Sequence, residues 1–242
     1  MLKNWAMKKL IFLFILLVSL INANAQSILG AWEATYEEPG KNSIMISVLV
    51  TSGYLVTTVY DTSTGTFMRT SGGSWVRNGN LVTEYVEFDS KNPERVGTKN
   101  TYELEFTANT ISMANSDIVF ARVDDGTPGA LAGAWLMSGR IRNGELQTRD
   151  TDRPRKTMKI LSGSRFQWIA YNTETKAFMG TGGGTYTTEN GKYEETIQFF
   201  SKDPSKVGMS LSFDYELKDG DWHHSGASSK GDPIHEIWSI RG

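Results

Sequence analysis

The chain has 242 residues, a net charge of −2 and no cysteine. The absence of cysteine excludes a disulfide framework. Lysine and arginine are scattered rather than gathered in a basic stripe with interleaved aromatic residues, so nucleic-acid binding is not expected. The length allows one large domain or two small ones, and the internal pattern of the sequence must decide between them.

Residues 1–25 have the organisation of a cleavable signal peptide. Three lysines within the first nine residues precede an apolar run at residues 10–21, and a small-x-small pattern ends at Ala25. We predict cleavage after Ala25 and a secreted or periplasmic protein. An uncleaved anchor would need about 20 apolar residues, more than this run supplies. No later segment approaches that length, so no stable membrane span is expected after cleavage.

The first unit, residues 26–123, has the pattern of a series of short strands. Alternating runs rich in β-branched residues are separated by polar turns, and no helical period is present. Gly72-Gly73 predicts a bulge or sharp bend, and Asn78-Gly79 predicts a hairpin. Eight strands at this spacing are typical of an antiparallel barrel or sandwich. They are predicted near residues 30–37, 43–51, 54–60, 67–77, 81–88, 98–107, 110–113 and 118–123.

Residues 124–131 are rich in polar residues, glycine and proline, which indicates a linker, and a second unit follows at 132–242. The linker is short, so the two units are expected to touch. About eight further strands are predicted, opening at Gly133 and continuing near residues 157–161, 165–171, 177–188, 193–200, 209–217, 221–226 and 234–241.

The second unit repeats the first. Residues 66–97 and 177–208 align at an offset of 111 residues, sharing the Phe-Met, Gly-Gly and Ser-Lys-x-Pro positions. Such self-similarity indicates a duplicated supersecondary unit, here two domains of about 100 residues that can each bury a core. The opening tryptophans, Trp32 and Trp135, are only 103 apart. The extra residues, between Arg140 and Lys156, are charged and are expected to form a longer first loop.

Each unit opens with Gly-x-Trp and closes on an arginine, Arg122 or Arg241. In a closed meander the first and last strands are neighbours, so each arginine could stack on the tryptophan of its own unit. This pairing resembles the structural signature of the lipocalin superfamily. The resemblance implies two tandem eight-stranded antiparallel up-and-down barrels of the lipocalin-like, calycin type.

The second unit also resembles a narrower group, a bacterial lipocalin-like family of small secreted proteins of unknown function. Its specific parts are Gly-Gly-Thr-Tyr-Thr at 183–187, Tyr-x-Glu at 193–195 and Trp-His-His-x-Gly at 222–226. The first unit has Ile-Ser-Met at 111–113 where the second has Trp-His-His, which makes the first unit a structural or altered-specificity copy. The resemblance implies the fold and supplies no reaction or ligand.

Glu195 is the most informative polar residue. It shares one strand face with Tyr193, Ile197 and Phe199, because side chains alternate along a strand. A carboxylate that faces a barrel interior is costly unless it is paired or hydrogen-bonded. It is either a ligand-binding or acid–base group, or a satisfied internal pair. The equivalent Glu84 in the first unit favours the structural alternative slightly.

Histidines and aromatic residues complete the candidate site. His223 and His224 are adjacent and should point to opposite faces of their strand, while His235 could approach either across a hairpin. Two histidines with Glu195 or Glu236 could in principle bind zinc, but no metal-ligand spacing is present, so no metal or other cofactor is predicted. The predicted ligand-binding residues are Trp168, Tyr186, Glu195, Trp222, His223, His224 and Trp238.

Three functions remain open from the sequence. We predict a non-catalytic binding protein that holds a small, partly apolar, aromatic or sugar-like ligand in the second barrel. An enzyme with Glu195 and a histidine as an acid–base pair is the first alternative. There is neither a cysteine nor a Gly-x-Ser-x-Gly motif to indicate nucleophilic catalysis. The third is a protein-interaction module with filled barrels.

Overall fold

Two successive antiparallel meanders make up the computed structural model, which describes residues 27–37 and 42–242. The predicted signal peptide and its cleavage point lie outside the described residues. Within those residues, no helix is long and apolar enough to cross a membrane.

The first meander closes into an eight-stranded barrel in sequence order, with β8 returning to pair with β1. A single 3₁₀ turn, Pro93–Arg95, follows the fifth strand. The strands are β1 (Gly30–Tyr36), β2 (Ile44–Val50), β3 (Tyr54–Asp61), β4 (Phe67–Asn78), β5 (Leu81–Asp89), β6 (Lys99–Phe106), β7 (Thr110–Met113) and β8 (Val119–Asp124).

The second meander forms an equivalent barrel, closed by pairing of its first and last strands. One short strand, β10, lies outside the eight that form the barrel. A 3₁₀ turn, Pro204–Lys206, again follows the fifth barrel strand. The strands are β9 (Gly133–Arg142), β10 (Glu145–Thr148), β11 (Arg155–Leu161), β12 (Arg165–Asn172), β13 (Phe178–Glu189), β14 (Lys192–Phe200), β15 (Ser210–Lys218), β16 (Asp221–Ala227) and β17 (Pro233–Ile240). The predicted fold, two tandem eight-stranded antiparallel barrels, is confirmed.

The insertion between Arg140 and Lys156 is largely a hairpin, not the long loop predicted from the sequence. Strand β9 continues to Arg142 and β10 pairs back onto it. Asn143 and Gly144 form the turn with φ of 54° and 80°, the positive values that a tight Asn-Gly hairpin turn requires. We call residues 139–156 the insertion hairpin. They comprise the end of β9, strand β10 and the segment that leads from β10 into β11.

The paired glycines form the predicted bulges. The strand register shifts between Gly72 and Gly73 in the first barrel and between Gly183 and Gly184 in the second. A Cβ atom on Gly184 would lie 2.0 Å from the carbonyl oxygen of Thr196. Only a residue without a side chain permits this close approach of two strands.

The opening tryptophans have matching backbone contacts but different partners. The Trp32 indole donates to the Ile28 carbonyl at 2.8 Å, and the Trp135 indole donates to the Leu131 carbonyl at 2.9 Å. The guanidinium of Arg122 lies 3.9 Å from the centre of the Trp32 ring, so the predicted stack is confirmed in the first barrel. The matching prediction, that Arg241 stacks on Trp135, is wrong. The Arg241 guanidinium contacts Tyr54 and Glu87 of the first barrel instead.

The two barrels pack against each other through a buried apolar cluster. Its members, which we call the interface cluster, are Leu49, Tyr54, Val56 and Phe88 of the first barrel with Ala134, Leu136, Met158, Ile160, Ile169 and Tyr171 of the second. The carboxylate of Asp124, the last residue of β8, accepts hydrogen bonds from Ser162 Oγ at 2.8 Å and Ser164 Oγ at 2.7 Å. The units therefore touch, as the short linker predicted.

Candidate functional site

The interior of the second barrel holds an aromatic cluster. All of its residues except Leu131, which precedes β9, lie on the barrel strands β9 and β11–β17, and each is at most 5% exposed. The Trp222 ring makes edge contacts with Trp135 and Tyr193, with ring centroids 5.9 and 5.2 Å away. The members are Leu131, Trp135, Leu161, Phe166, Tyr186, Tyr193, Phe213, Trp222 and Trp238.

A lysine ammonium group lies inside this cluster. Lys159 on β11 is 5% exposed, and its neighbours Met158 and Ile160 point the other way, into the interface cluster. The Lys159 Nζ atom lies within 6 Å of four ring centroids: Tyr193 at 4.8 Å, Trp222 at 5.0 Å, Trp238 at 5.5 Å and Phe213 at 5.9 Å. The negative faces of aromatic rings attract a cation, and the attraction strengthens where water is excluded.

Glu195 supplies the countercharge. Its Oε2 atom lies 3.5 Å from Lys159 Nζ and accepts a hydrogen bond of 2.8 Å from the Tyr193 hydroxyl. Burial, followed by the nearby Glu195 carboxylate, raises the pKa of Tyr193 well above its usual value, so this phenol keeps its proton. Lys159 and Glu195 thus form a buried ion pair with one hydrogen-bonded partner and an aromatic surround.

His224 is the second buried polar group of the interior. It is 2% exposed, and burial, followed by the nearby Lys159 charge, lowers its pKa to about 4. Its Nδ1 atom lies 3.4 Å from Glu236 Oε2, which also accepts from the Trp238 indole at 3.2 Å. Burial raises the pKa of Glu236, but its bond with His224 and the Lys159 charge outweigh burial and leave that pKa below its usual range.

Two buried polar atoms of the interior have no partner among the described residues: Trp222 Nε1 and His224 Nε2. The ionised Glu236 can only accept, so the neutral His224 ring carries its proton on Nδ1 and presents an unprotonated Nε2 acceptor. The Trp222 indole presents a donor. The two rings have centroids 5.2 Å apart. Buried polar atoms are rarely left unpaired, so this donor and acceptor are the two groups of the interior that are free to bind a further polar group.

The structure brings five of the seven predicted residues into one interior. Glu195, Trp222, His224 and Trp238 form the polar and aromatic centre described above. Tyr186 belongs to the same cluster, but its hydroxyl donates to the Ser162 carbonyl at 2.6 Å and is already used.

The other two predicted residues lie at the margin or outside. Trp168 is half-buried against the aromatic cluster, and its ring packs edge-on against Phe200 with centroids 5.4 Å apart. Gly182 makes room for both rings, since a Cβ there would lie 2.8 Å from the Trp168 indole nitrogen. His223 faces away from the interior, with its Nδ1 atom 3.3 Å from His235 Nε2. The adjacent histidines therefore point to opposite faces, as the strand geometry predicted.

Sequence reasoning missed Lys159 and gave Glu236 only a conditional role. Lys159 stands between two apolar residues, and the alternation that buries Met158 and Ile160 on one side places the lysine on the other. Glu236 lies two residues before Trp238 and so shares its inward face. Among the described residues, no group of three or more histidine, aspartate or glutamate side chains is placed to hold a metal ion.

The first barrel has a different interior. Its buried cluster is built mainly from aliphatic residues around Trp32. Glu84, the counterpart of Glu195, accepts from the Tyr102 hydroxyl at 3.2 Å and lies 3.8 Å from the Arg95 guanidinium. Burial raises the pKa of Glu84. Its cation comes from the 3₁₀ turn rather than from the barrel wall, so the lysine-centred arrangement belongs to the second barrel.

The comparisons with known proteins concern this second barrel. Residues 130–240 match the family model described as domain of unknown function (DUF4488). No curated protein sequence matches the chain. The match and the two eight-stranded barrels together fit a lipocalin-like barrel family of unknown function.

Proposed function

We propose that this is a secreted, non-catalytic binding protein whose second barrel holds a small, partly apolar ligand of aromatic or sugar-like character. The observation that carries the proposal is the unpaired donor of Trp222 and the unpaired acceptor of His224 inside an aromatic cluster. Ligand sites are commonly apolar cavities with a few well-placed polar groups, and the second barrel has this composition.

The chemistry of the two unpaired atoms narrows the ligand. A hydroxyl group both accepts and donates a hydrogen bond. It can therefore accept from the Trp222 indole and donate to His224 Nε2. Phenols and sugars carry such a group next to a flat or apolar body that packs on indole rings. The ion pair of Lys159 and Glu195 then serves as a fixed polar wall rather than as a reacting group.

Other features support different roles for the two barrels. The first barrel lacks the Trp-His-His segment, and its buried carboxylate is paired with Arg95. We infer that the chain arose by duplication and that the first barrel supports the second. The N-terminal pattern supports export, because a binding protein without disulfides can act outside the cytoplasm if its cores are sufficient.

Native mass spectrometry of the protein purified from its own host tests the proposal. We expect a co-purifying mass of a small organic molecule on the wild-type protein and its loss in His224→Gln and Glu195→Gln. His223→Gln is the matched control, because this neighbour lies on the outer face, and it should retain the mass. A bare protein mass in all samples, with no binding of phenols or sugars in titrations, would contradict the proposal.

A protein-interaction module is the second candidate, and the dense interior favours it. Trp222 and Tyr193 are fully buried by their neighbours, so the barrel centre is already occupied by side chains. A groove of about 300 Å³ lies instead on the outer surface across β13, β14 and β15, lined mainly by Thr185, Thr187, Glu194, Thr196, Ser210 and Ser212. The enzyme alternative has less support, since the direct carboxylate partner of His224 is Glu236 and Glu195 pairs with Lys159.

A further inference from the structure

The insertion hairpin concentrates positive charge on an otherwise slightly acidic chain. Residues 140–156 contain six basic and three acidic side chains, a net charge of +3, whereas the whole chain carries −2. The first barrel has no counterpart of this length, because only seven residues, 37–43, separate β1 from β2. The excess positive charge therefore lies on the second barrel, the one with the candidate binding interior.

A cleft of about 230 Å³ lies between the base of this hairpin and the segment that follows it. Three of its eight lining residues are arginines, and one is acidic. The lining residues are Met137, Gly139, Arg140, Gln147, Thr148, Arg149, Asp150 and Arg153.

The cleft adjoins the barrel interior through two lining residues. Met137 lines the cleft and packs against the aromatic cluster, opposite Trp238 in the strand register. Arg140 is the register partner of Glu236, the residue that accepts from His224 and Trp238. Directly opposed residues of antiparallel strands project from the same face, so Arg140 extends the interior face of β9 to the rim of the barrel.

The three guanidinium groups retain unused donors. Arg140 uses only Nε, on Gln147 at 2.8 Å, and Arg149 uses only Nη1, on Thr157 at 3.4 Å. Arg153 lies 3.5 Å from Asp150 through Nε, in a pair whose side chains are 72% and 53% exposed. The remaining nitrogens have no partner among the described residues. Guanidinium donors in this arrangement suit the oxygens of a carboxylate or phosphate.

We propose that the ligand of the second barrel carries an anionic group, a carboxylate or a phosphate, which the Arg140–Arg149–Arg153 cleft binds at the barrel rim. This inference rests on the proposed function, because it assigns a second contact to the same ligand. The hydroxyl-bearing or aromatic body faces Met137 and the aromatic cluster, and the anion lies among the arginines. The insertion hairpin thus adds a contact for negative charge at the rim of the second barrel.

Calorimetric titration of the full chain with two matched probes tests the inference. The probes are 6-hydroxy-2-naphthoate, which carries an anion, and neutral 2-naphthol; inorganic phosphate is added as a bare anion. We expect the acid to bind at least about tenfold more tightly than the naphthol. Arg149→Gln and Arg153→Gln should each lower the affinity for the acid by about tenfold. Arg142→Gln and Arg155→Gln, which remove charge from the same segment outside the cleft, should change its affinity little.

Raising sodium chloride from about 50 mM to about 500 mM should lower the affinity for the acid and leave the affinity for the naphthol unchanged, because salt screens exposed charges. Equal binding of acid and naphthol, with no effect of the cleft variants, would overturn the anionic assignment and leave the proposed function standing. Binding of neither probe would overturn the anionic assignment, and the proposed function would then be decided by native mass spectrometry and the sugar titrations. Phosphate binding as tight as that of the acid would show a bare anion site and would overturn the link to the barrel ligand.

Discussion

Loss of Lys159 should strongly destabilise the second barrel. Its ammonium is the cation beside the buried Glu195 carboxylate. Replacing it with methionine would keep much of the apolar stem and leave the Glu195 carboxylate without its cation. Breaking a buried pair in this way costs about 3–5 kcal/mol. We therefore expect Lys159→Met to lower the free energy of unfolding by that amount, as measured by urea denaturation followed by circular dichroism.

A double variant distinguishes the destabilisation caused by an unpaired charge from that caused by changed side-chain packing. Lys159→Met with Glu195→Gln removes both charges and should recover part of the loss, because no ion is left unpaired. The control is Lys192→Met, which breaks the pair of Lys192 with Asp214, whose side chains are 52% and 68% exposed, and should cost less than about 1 kcal/mol. An equal, small effect of Lys159→Met and Lys192→Met would contradict the buried ion pair.

His224 should make stability depend on pH. Its pKa is about 4 in the folded chain and near 6.5 in the unfolded chain. The unfolded chain therefore binds more protons between these values, so folding is favoured above pH 6.5 and the stabilisation is lost as pH falls towards 4. From pH 7 to pH 5 this single group should cost about 2 kcal/mol.

The measurement compares urea midpoints at pH 7 and pH 5 in matched histidine variants. His224→Gln should flatten the dependence, because the group that gains a proton on unfolding is gone. His223→Gln should retain it, since His223 lies on the outer face of the same strand. Glu236, whose pKa is also lowered, titrates in the same sense but only below about pH 4.5, outside this window. An unchanged pH dependence in His224→Gln would show that another group is responsible.

At the scale of strands, the sequence predicted most of the architecture because each strand obeys a local rule. Alternation, glycine-containing turns and the paired glycines of the bulges all act over a few residues, and the observed strand boundaries lie within one or two residues of most predicted ones. The same local rule placed Glu195 on an inward face and the adjacent His223 and His224 on opposite faces, and the structure shows that His224 is the inward one. The insertion was misjudged because its charge suggested a loop, whereas its Asn143-Gly144 turn favours a hairpin.

The partners of these side chains could not be predicted, because they depend on contacts between distant strands. Alternation places Lys159 on an inward face, but only the closure of the barrel brings β11 close to Glu195 on β14. The prediction that Arg241 stacks on Trp135 was wrong for a related reason. Its guanidinium is held by Glu87 of the other barrel at 2.9 and 3.0 Å and stacks 4.1 Å from the Tyr54 ring. A pattern within one repeat carries no information about that neighbour.

For the whole molecule, the interface makes the two barrels one structural unit. Gln167 of the second barrel is 1% exposed and bonds to both Thr58 and Thr70 of the first, at 2.7 and 3.0 Å. Arg165 contacts Glu33 at 2.7 Å, and the interface cluster draws buried residues from both barrels. Apolar burial and charged contacts on one surface should couple the unfolding of the barrels, although each has its own core.

Scanning calorimetry tests this coupling. We expect the wild-type chain to unfold in one transition, with equal calorimetric and van't Hoff enthalpies. Glu87→Ala removes the acceptor of both Arg241 and the Tyr171 hydroxyl, which donates at 2.6 Å. The pair is 13% and 18% exposed, so the loss should be about 2–3 kcal/mol, below that of a fully buried pair.

The shape of the transition distinguishes a weakened interface from a weakened barrel. Loss of interface energy should separate the barrels, so Glu87→Ala combined with Gln167→Ala should unfold in two resolved steps, the first exposing the interface cluster. Glu103→Ala, which removes an exposed carboxylate from the first barrel, should leave one step near the wild-type temperature. Two resolved steps in the wild-type chain would mean that each core is sufficient alone and that the interface only aligns the barrels.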